Sequence, residues 1–328
     1  MHYDIFNGDA DGIIALLQLR LADPIDSTLI TGVKRDIQLV SQVNANADDI
    51  LTILDISMAK NHAALLQVLE SGATVFYADH HQSGEIPDYV NLDANIDLDA
   101  NTCTALIIDA LLGGQYHLWA ITAAYGDNLI AKADDLATSA GLNETEREQL
   151  KELGTLINYN GYGSDISELH YHPAELFKLL KPYSSPFDVI NDSHSPYHQL
   201  KRAYQQDIQQ AFDSSAGGSP KANYQSESLR LYKLKDGVAA RRVSGVLGNL
   251  LANQNPNSAH AVLTQNRDGT YTVSLRAPLN NKQGAGDVCS QFSTGGGRAA
   301  AGGINALPED QVQYLIEAIE VKWGQTPN

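Results

Sequence analysis

The chain has 328 residues, of which 43% are hydrophobic, and carries a formal net charge of −17. This length suits two domains of about 100–200 residues each, and no apolar run approaches the roughly 18–20 residues of a transmembrane helix. The N-terminus lacks the basic and apolar regions of a signal peptide, and the two cysteines, Cys103 and Cys289, lie in separate halves, so we expect a cytoplasmic protein without disulfides.

The negative charge is concentrated in the first two thirds of the chain. Residues 1–221 carry a net charge of −19, whereas residues 222–328 carry +2. Binding of long nucleic acids depends on many contacts between basic side chains and phosphates. The acidic region therefore disfavours a long nucleic acid as partner, but it leaves a short anionic substrate open where metal ions and a few arginines reverse the local field. Solubility is the alternative explanation for much of the acidic surface.

Short apolar runs alternate with helical patterns in the first 130 residues. The spacing predicts strands at residues 3–6, 29–33, 51–55 and 73–78, and helices at residues 12–21, 59–70, 102–112 and 117–125. Strands that alternate with helices are typical of crossover units in a parallel sheet. We therefore expect an α/β fold with a doubly wound, mostly parallel sheet and helices on both faces.

The remainder of the chain predicts a helical region followed by a smaller α/β domain. Residues 140–190 are mostly helical, with a break at 184–195, a helix at 197–212 and a linker at 214–220. Strands at 228–233, 259–265 and 270–276 and a helix at 308–322 follow. We expect a first domain over residues 1–195, a helical linker over 196–220 and a second domain over 221–328, with the active site in the cleft between the domains.

Acidic and imidazole side chains follow several of the predicted strands. They are Asp9, Asp11, Asp55, Asp79, His80, His81 and Asp127. Parallel strands place their carboxyl ends along one edge of a sheet, so these groups are expected to converge. Crowded carboxylates repel each other unless cations lie between them. The series therefore predicts a site for two divalent metal ions, which at about 3.5–4 Å apart serve in-line displacement at phosphorus.

Each acidic group taken alone also has a structural interpretation. Asp9 and Asp11, between Gly8 and Gly12, are compatible with an acidic turn, and Asp55 or Asp127 with a helix cap. The run from residue 79 to 81 is harder to explain in this way, because three ionisable residues at the end of a buried strand lower stability unless they have partners.

The order and spacing of these motifs resemble the DHH phosphoesterase superfamily. The motifs are Asp9-Ala10-Asp11-Gly12, the strand-end Asp55, Asp79-His80-His81 and the later Asp127, with Asn101-Thr102-Cys103-Thr104-Ala105 as further support. The resemblance spans most of residues 1–130. It implies Asp9, Asp11, bridging Asp55, His80 and Asp127 as ligands, Asp79 as the residue that orients His80, and His81 facing the scissile phosphate. Asn7 stands where this family commonly has His or Asp. Its side-chain carbonyl oxygen is a possible, weaker ligand, and the alternative is that Asn7 holds water or substrate. A mixed oxygen and imidazole set favours Mn²⁺.

The second predicted domain resembles the DHH-associated substrate-binding domain. Residues 295–302 align without a gap with its Gly-Gly-His-x-x-Ala-Ala-Gly motif, and the motif histidine falls on Gly297. The resemblance implies substrate contacts from Arg276, Gly295, Gly296, Gly297 and Arg298, with Arg241 and Arg242 as further candidates. A flexible glycine loop is the alternative for residues 295–297.

This pairing of domains resembles RecJ-related exonucleases and nano-RNases (oligoribonuclease-like enzymes). The resemblance implies a two-metal phosphodiesterase that hydrolyses very short oligoribonucleotides, dinucleotides such as pGpG included, to mononucleotides. We expect a short RNA or dinucleotide as partner, two Mn²⁺ ions and no membrane partner, and a homodimer stays open. The alternatives are a 3′,5′-bisphosphonucleoside phosphatase, a cyclic-dinucleotide phosphodiesterase and a non-catalytic nucleotide sensor, which Asn7 and Gly297 favour.

Overall fold

The computed structural model describes residues 1–211 and 221–324 of the chain. The backbone divides into two compact units, the first from Met1 to Ala203 and the second from Tyr204 onward. The division falls in the helix Pro196–Ala211, which lies within the predicted linker region 196–220. The linker predicted at residues 214–220 lies outside the described residues, and the domain limits given above stay predictions.

The first unit is an α/β layer structure. Its strands are β1 (His2–Phe6), β2 (Thr28–Ile30), β3 (Ile50–Leu54), β4 (Thr74–Asp79) and β5 (Leu92–Ile96). Its helices are α1 (Ala10–Ala22), α2 (Met58–Glu70), α3 (Thr104–Leu111), α4 (His117–Gly126), α5 (Ile130–Ser139), α6 (Glu144–Asn160), α7 (Pro173–Leu180) and α8 (Pro186–Asn191), and α9 (Pro196–Ala211) crosses the division. The strands form one parallel sheet in the order β2-β1-β3-β4-β5.

Side chains on alternate strand positions show that helices cover both faces of this sheet. Arg20 of α1 donates to both carboxylate oxygens of Asp4, at 2.8 and 2.5 Å, and to Thr52 Oγ1 at 3.1 Å. The next residue along β3 points to the opposite face, where Ile53 packs in a core with Leu65 of α2. The predicted α/β fold, with helices on both faces of a parallel sheet, is confirmed.

The strand order places a topological switch point between β1 and β3. In sheets of this order, ligands bind outside the carboxyl ends of the strands at the switch point. Asp9 follows β1 by three residues and Asp55 follows β3 directly. The fold therefore brings the first two acidic motifs to the edge where ligand sites form.

The second unit contains a mixed sheet. Its strands are β6 (Tyr224–Gln225), β7 (Leu229–Leu234), β8 (Ala259–Gln265), β9 (Tyr271–Arg276), β10 (Gly295–Gly297) and β11 (Ala301–Leu307), and its helices are α10 (Val238–Gln254), α11 (Ala285–Cys289) and α12 (Val312–Trp323). The sheet order is β10-β11-β9-β8-β7-β6. Strands β7 and β8 are parallel, and the other neighbours are antiparallel.

Several elements of the structure have weak sequence signals. Strand β5 reads Leu-Asp-Ala-Asn-Ile and lacks a buried apolar run, because it lies at the edge of its sheet. Strand β10 consists of three glycines, which have low strand propensity. Helix α10 was not predicted, since Gly245 and Gly248 interrupt its apolar pattern with residues that disfavour helices.

Two sequence expectations concern cysteines and membranes. Cys103 and Cys289 are both buried and free, as expected from their separation in the chain. In the described ranges, no helix combines the length and apolarity that crossing a bilayer requires.

Candidate active site

The turn between β1 and α1 positions the first acidic motif. Asp9 caps α1, and its Oδ1 accepts hydrogen bonds from the backbone N–H groups of Asp11, at 3.0 Å, and Gly12, at 3.1 Å. A Cβ atom on Gly12 would lie 2.3 Å from the carbonyl oxygen of Asn7. Only glycine therefore allows a turn this tight, and the turn holds both aspartates at the carboxyl edge of the sheet.

Asp11 is held by the first turn of α3. Its Oδ2 accepts from the backbone N–H of Thr104 at 2.8 Å, and its Oδ1 accepts from that of Ala105 at 2.7 Å. Burial raises the pKa of this carboxyl group, and the negative charges of Asp127 and Asp9 add to the increase. Asp11 is therefore fixed in place, but its negative charge is poorly compensated.

Asp55 lies in an unusual backbone conformation directly after β3. Its φ is 57°, in the left-handed region that few residues other than Gly, Asn and Asp adopt. Burial, together with the negative charges of Asp11 and Asp9, raises the pKa of Asp55 well above its usual value. Backbone strain and uncompensated charge at one residue are typical of functional sites.

The His80 ring points one nitrogen at a backbone carbonyl and the other at three carboxylates. Its Nδ1 lies 3.0 Å from the carbonyl oxygen of Thr102, which can only accept, so Nδ1 carries the hydrogen. Its Nε2 lies 3.4 Å from Asp55 Oδ1, 3.6 Å from Asp11 Oδ2 and 4.0 Å from Asp127 Oδ2. Metal-binding histidines are commonly oriented in this way.

The side chains of Asp11, Asp55, His80 and Asp127 are arranged as ligands of a divalent cation would be. An unprotonated Nε2 and carboxylate oxygens repel each other unless positive charge lies between them. Ligand atoms about 2.1 Å from an ion lie roughly 3–4 Å from each other, which is the range observed around His80 Nε2. Asp55, His80 and His81 each have one atom that could bind a metal, and these three atoms lie within 4.8 Å of one another.

His81 forms a pair with Asp79 beside this cluster. Its Nδ1 lies 2.7 Å from Asp79 Oδ1 and 3.7 Å from Asp55 Oδ1, and its side chain is 30% exposed. The sequence predicts that Asp79 orients His80, but the structure has Asp79 against His81, because the Thr102 carbonyl occupies the Nδ1 side of His80. His81 is therefore the imidazole that is both oriented by a carboxylate and accessible.

Lys34 is a part of the cluster that was not predicted from the sequence. Its Nζ lies 2.5 Å from Asp9 Oδ2, 3.1 Å from Asn158 Oδ1 and 3.8 Å from Asp127 Oδ1. Burial would raise the pKa of Asp9, but Lys34 overcomes this effect and lowers it to about 2. Burial would lower the pKa of Lys34, but Asp9 raises it. Lys34 follows β2, so the strand-end rule that groups the aspartates also points to it.

Asn7 lies on the Lys34 side of the cluster. It is only 5% exposed. Its Nδ2 donates to the backbone carbonyl oxygen of Lys34 at 3.2 Å, and its Oδ1 is buried without a hydrogen-bond partner. The amide therefore positions the lysine backbone and adds no negative charge to this side of the cluster.

The arginines named from the sequence lie in the second unit, in contacts with protein groups. Arg242 forms a two-pronged ion pair with Asp207, at 2.6 and 2.8 Å, and Arg241 Nη1 lies 2.7 Å from Asp236 Oδ1. Arg276 donates through Nε to Asn249 Oδ1 at 2.5 Å, and further to a hydroxyl and two backbone carbonyls. Arg298 is exposed. Their roles in substrate binding stay predictions.

The glycine run at residues 295–297 is a strand. It pairs with β11, with Gly297 opposite Gly302. Gly297 has a φ of 150°, and a Cβ atom on it would lie 2.5 Å from the Ala301 carbonyl oxygen. The histidine of the family motif would not fit here without a backbone shift. The contact of this run with substrate stays a prediction.

Comparisons with solved structures identify the fold. The pGpG-specific phosphodiesterase PggH from Vibrio cholerae is similar over 99% of each chain, at 14% identity and a TM-score of 0.57. An exonuclease RecJ bound to manganese matches 99% of this chain and 90% of its own, at 16% identity and a TM-score of 0.55. The chain has the fold of RecJ-related phosphoesterases.

RecJ from Thermus thermophilus, in complex with Mn²⁺, extends this comparison. The match covers all of this chain and 52% of that protein, at 16% identity and a TM-score of 0.52. No protein-family model and no curated sequence matches the chain. The fold that the resemblance to the DHH superfamily implies is confirmed.

The backbone of β10 predicts that alanine substitutions at two neighbouring glycines have different effects on stability. Gly297→Ala is expected to lower the free energy of unfolding by about 1–3 kcal/mol, because its Cβ would meet backbone atoms in a left-handed conformation. Gly296→Ala is the matched control: no atom lies within 4 Å of its Cβ position, so a change within about 0.5 kcal/mol is expected. Urea unfolding measures both. Equal effects at the two positions would contradict the described backbone.

The raised pKa values of Asp11 and Asp55 predict how stability depends on pH without divalent ions. A carboxyl group whose pKa is higher in the folded state than in the unfolded state binds protons more readily when folded, so stability falls as the pH rises. Asp9, with a pKa of about 2, contributes stability that is lost only below its unfolded value near about 4. His260, whose pKa burial lowers to about 4, has the opposite effect up to its unfolded value of about 6.5. Between about pH 6.5 and about pH 8 we therefore expect the free energy of unfolding to decrease, mainly through Asp55.

Urea unfolding in the presence of a chelator, at several pH values in this window, measures the effect. Saturating Mn²⁺ is expected to reverse the trend, because a bound cation favours the ionised carboxylates. Stability that rises with pH in the chelated protein would show that the two carboxyl groups are already compensated.

Proposed function

We propose that the chain is a divalent-cation-dependent phosphodiesterase that hydrolyses very short oligoribonucleotides, pGpG included, to mononucleotides. The observation that carries this proposal is the position of His80 Nε2, which lies within 4.0 Å of carboxylate oxygens from Asp11, Asp55 and Asp127. The similarity in fold to PggH and RecJ, both named as nucleases or phosphodiesterases, supports the same reaction class.

Asp11, Asp55, His80 and Asp127 would hold the cation. A bound divalent ion polarises the phosphoryl group and lowers the pKa of water from 15.7 toward about 7. In the hydrolysis, a water oxygen bonds to phosphorus while the bond from phosphorus to the leaving oxygen breaks, and the leaving oxygen takes up a proton. We expect Mn²⁺ as the ion, since imidazole and carboxylate ligands together suit it better than Mg²⁺.

His81 is suited to supply that proton or to stabilise charge on the phosphate. Asp79 Oδ1 accepts from its Nδ1 at 2.7 Å, which orients the ring. The 30% exposure of the His81 side chain leaves it open to a substrate. Asp79 is therefore proposed to act as a positioning residue through His81.

The negative charge of the first 221 residues supports a short substrate. The first 221 residues carry a net charge of −19, and a long strand would need many basic contacts along its backbone. We propose that Arg276 and Arg298 contact the terminal 5′-phosphate and thereby limit the length of the substrate. The sequence predicts two ions at the metal centre. The position of Lys34 concerns whether the second ion binds.

A substrate panel tests this function. Purified protein with Mn²⁺ is incubated separately with pGpG, a longer RNA, a 3′,5′-bisphosphonucleoside and a cyclic dinucleotide, and products are separated by chromatography. We expect mononucleotide from pGpG at the highest kcat/KM, with a steep decrease for longer RNA.

The other outcomes overturn the proposal in distinct ways. Fastest release of phosphate from the bisphosphate identifies a nucleotide phosphatase, and fastest opening of the cyclic compound identifies a cyclic-dinucleotide phosphodiesterase. Tight nucleotide binding with no product at saturating Mn²⁺ identifies a non-catalytic sensor.

A further inference from the structure

Lys34 and its ion-pair partner Asp9 are charged groups of the cluster that the proposed function does not use. We propose that the Lys34 ammonium group takes the place of one of the two cations predicted from the sequence, so that the centre binds a single divalent ion at Asp11, Asp55, His80 and Asp127. This inference rests on the proposed metal centre and concerns the number of ions that it holds.

The contacts of Lys34 are those expected of a bound cation. Its Nζ is surrounded by oxygen atoms of three side chains: Asp9 Oδ2 at 2.5 Å, Asn158 Oδ1 at 3.1 Å and Asp127 Oδ1 at 3.8 Å. Asp9 is 3% exposed and Asn158 is 2% exposed. A divalent ion at Asp9 would have to displace an ammonium group that already forms a short, partly buried contact with Asp9 Oδ2.

The lysine backbone is fixed on both sides. The N–H of Lys34 donates to the carbonyl oxygen of Gly161 at 2.8 Å, and its own carbonyl oxygen accepts from Asn7 Nδ2 at 3.2 Å. Its Nζ also lies 5.6 Å from the centroid of the Tyr162 ring, at a distance suited to a cation–π contact. The protein therefore builds a position for this side chain from several elements.

The two sides of the cluster differ in the charges that they offer. The Lys34 side contains the neutral Asn7 amide next to Asp9, where a second anionic or imidazole ligand would strengthen ion binding. On the other side, Asp11 and Asp55 face the Nε2 atom of His80, at 3.6 and 3.4 Å, and no lysine nitrogen of the described residues forms an ion pair with either carboxylate. The need for a divalent ion is therefore concentrated at Asp11 and Asp55.

Counting bound Mn²⁺ tests the proposal independently of catalysis. Isothermal titration and electron paramagnetic resonance of the full chain are expected to give one Mn²⁺ per chain, without the exchange-coupled signal of a pair of ions. Lys34→Met is expected to bind two, since it frees Asp9 Oδ2 and Asp127 Oδ1. Lys60→Met, at an exposed position on α2, is the control and is expected to stay at one.

Asp9→Asn provides a second test in which Lys34 remains in place. With the ammonium group as the resident cation, this variant keeps one Mn²⁺ with affinity changed less than about 10-fold, whereas a two-ion centre would lose one of its two ions. Circular dichroism confirms that each variant is folded. Two coupled ions in the unmodified chain, or a single ion in folded Lys34→Met, would refute the proposal.

Failure of this proposal is separate from failure of the proposed function. A chain that binds two Mn²⁺ ions and cleaves pGpG retains the phosphodiesterase assignment and loses only the role of Lys34. A chain that binds one Mn²⁺ and cleaves nothing in the substrate panel retains the role of Lys34 and loses the assignment.

Discussion

Replacing both His80 and His81 with alanine is expected to lower kcat/KM for pGpG by at least about 10³-fold. His80 is the nitrogen ligand of the proposed centre, and a bound metal supplies several kcal/mol of transition-state stabilisation, where each 1.36 kcal/mol corresponds to a factor of about ten. His81 adds the oriented, accessible imidazole. The two losses act on one step and are not expected to be additive.

Initial rates at several Mn²⁺ concentrations measure this effect, together with the Mn²⁺ affinity of each single variant. His80→Ala is expected to weaken binding of the ion, whereas His81→Ala is expected to lower kcat with little change in ion affinity. His194→Ala is the control, because its side chain is 93% exposed. Activity in the double variant close to that of the control would refute the assigned site.

Asp55→Asn is expected to abolish turnover and, without divalent ions, to raise the melting temperature. The substitution keeps the shape of the side chain, its acceptor for the Thr104 hydroxyl at 3.2 Å and its tolerance of a φ of 57°. It removes a buried negative charge next to Asp11 and Asp9, the charges that help raise the pKa of Asp55. Losing that charge therefore stabilises the ion-free protein while it removes a ligand.

The entropy of unfolding relates the gain in stability to the expected shift in melting temperature. A gain of about 1 kcal/mol shifts the melting temperature by about 2–4 °C in a domain of roughly 150–250 residues, so a rise of a few degrees is expected in the presence of a chelator. With saturating Mn²⁺ the order should invert, since only the unmodified chain gains binding energy. Thermal scans in both conditions measure this. A lower melting temperature for Asp55→Asn in the chelated protein would contradict the charge repulsion described here.

The convergence of the acidic motifs could be predicted from the sequence because it depends on strand ends. An apolar run that ends in Asp or Asp-His-His specifies both the strand and the edge at which its last residues lie, and parallel pairing then brings Asp55 and His80 together. The contacts that orient these side chains had no such signal. The Thr102 carbonyl and the Thr104 N–H are backbone groups, and nearly every residue carries them.

The partners of the basic residues were harder to predict. Arg242 pairs with Asp207 and Arg241 with Asp236, and nothing in the spacing of these residues distinguishes an internal ion pair from a phosphate contact. Lys34 illustrates the same difficulty in the first unit. Its position after β2 was available from the sequence, but its contact with Asn158 joins residues that are 124 positions apart.

The two backbone amides that hold Asp11 have a consequence for ion selectivity. Both oxygens of this carboxylate are fixed by α3 before any ion arrives, so the side chain cannot swing outward to lengthen its bonds. Calcium requires distances to oxygen of about 2.3–2.6 Å and a larger, more adaptable shell than magnesium or manganese. In the proposed centre, a carboxylate held in this way favours the shorter bonds of magnesium or manganese, and we expect calcium to bind more weakly than Mn²⁺ in the same titration.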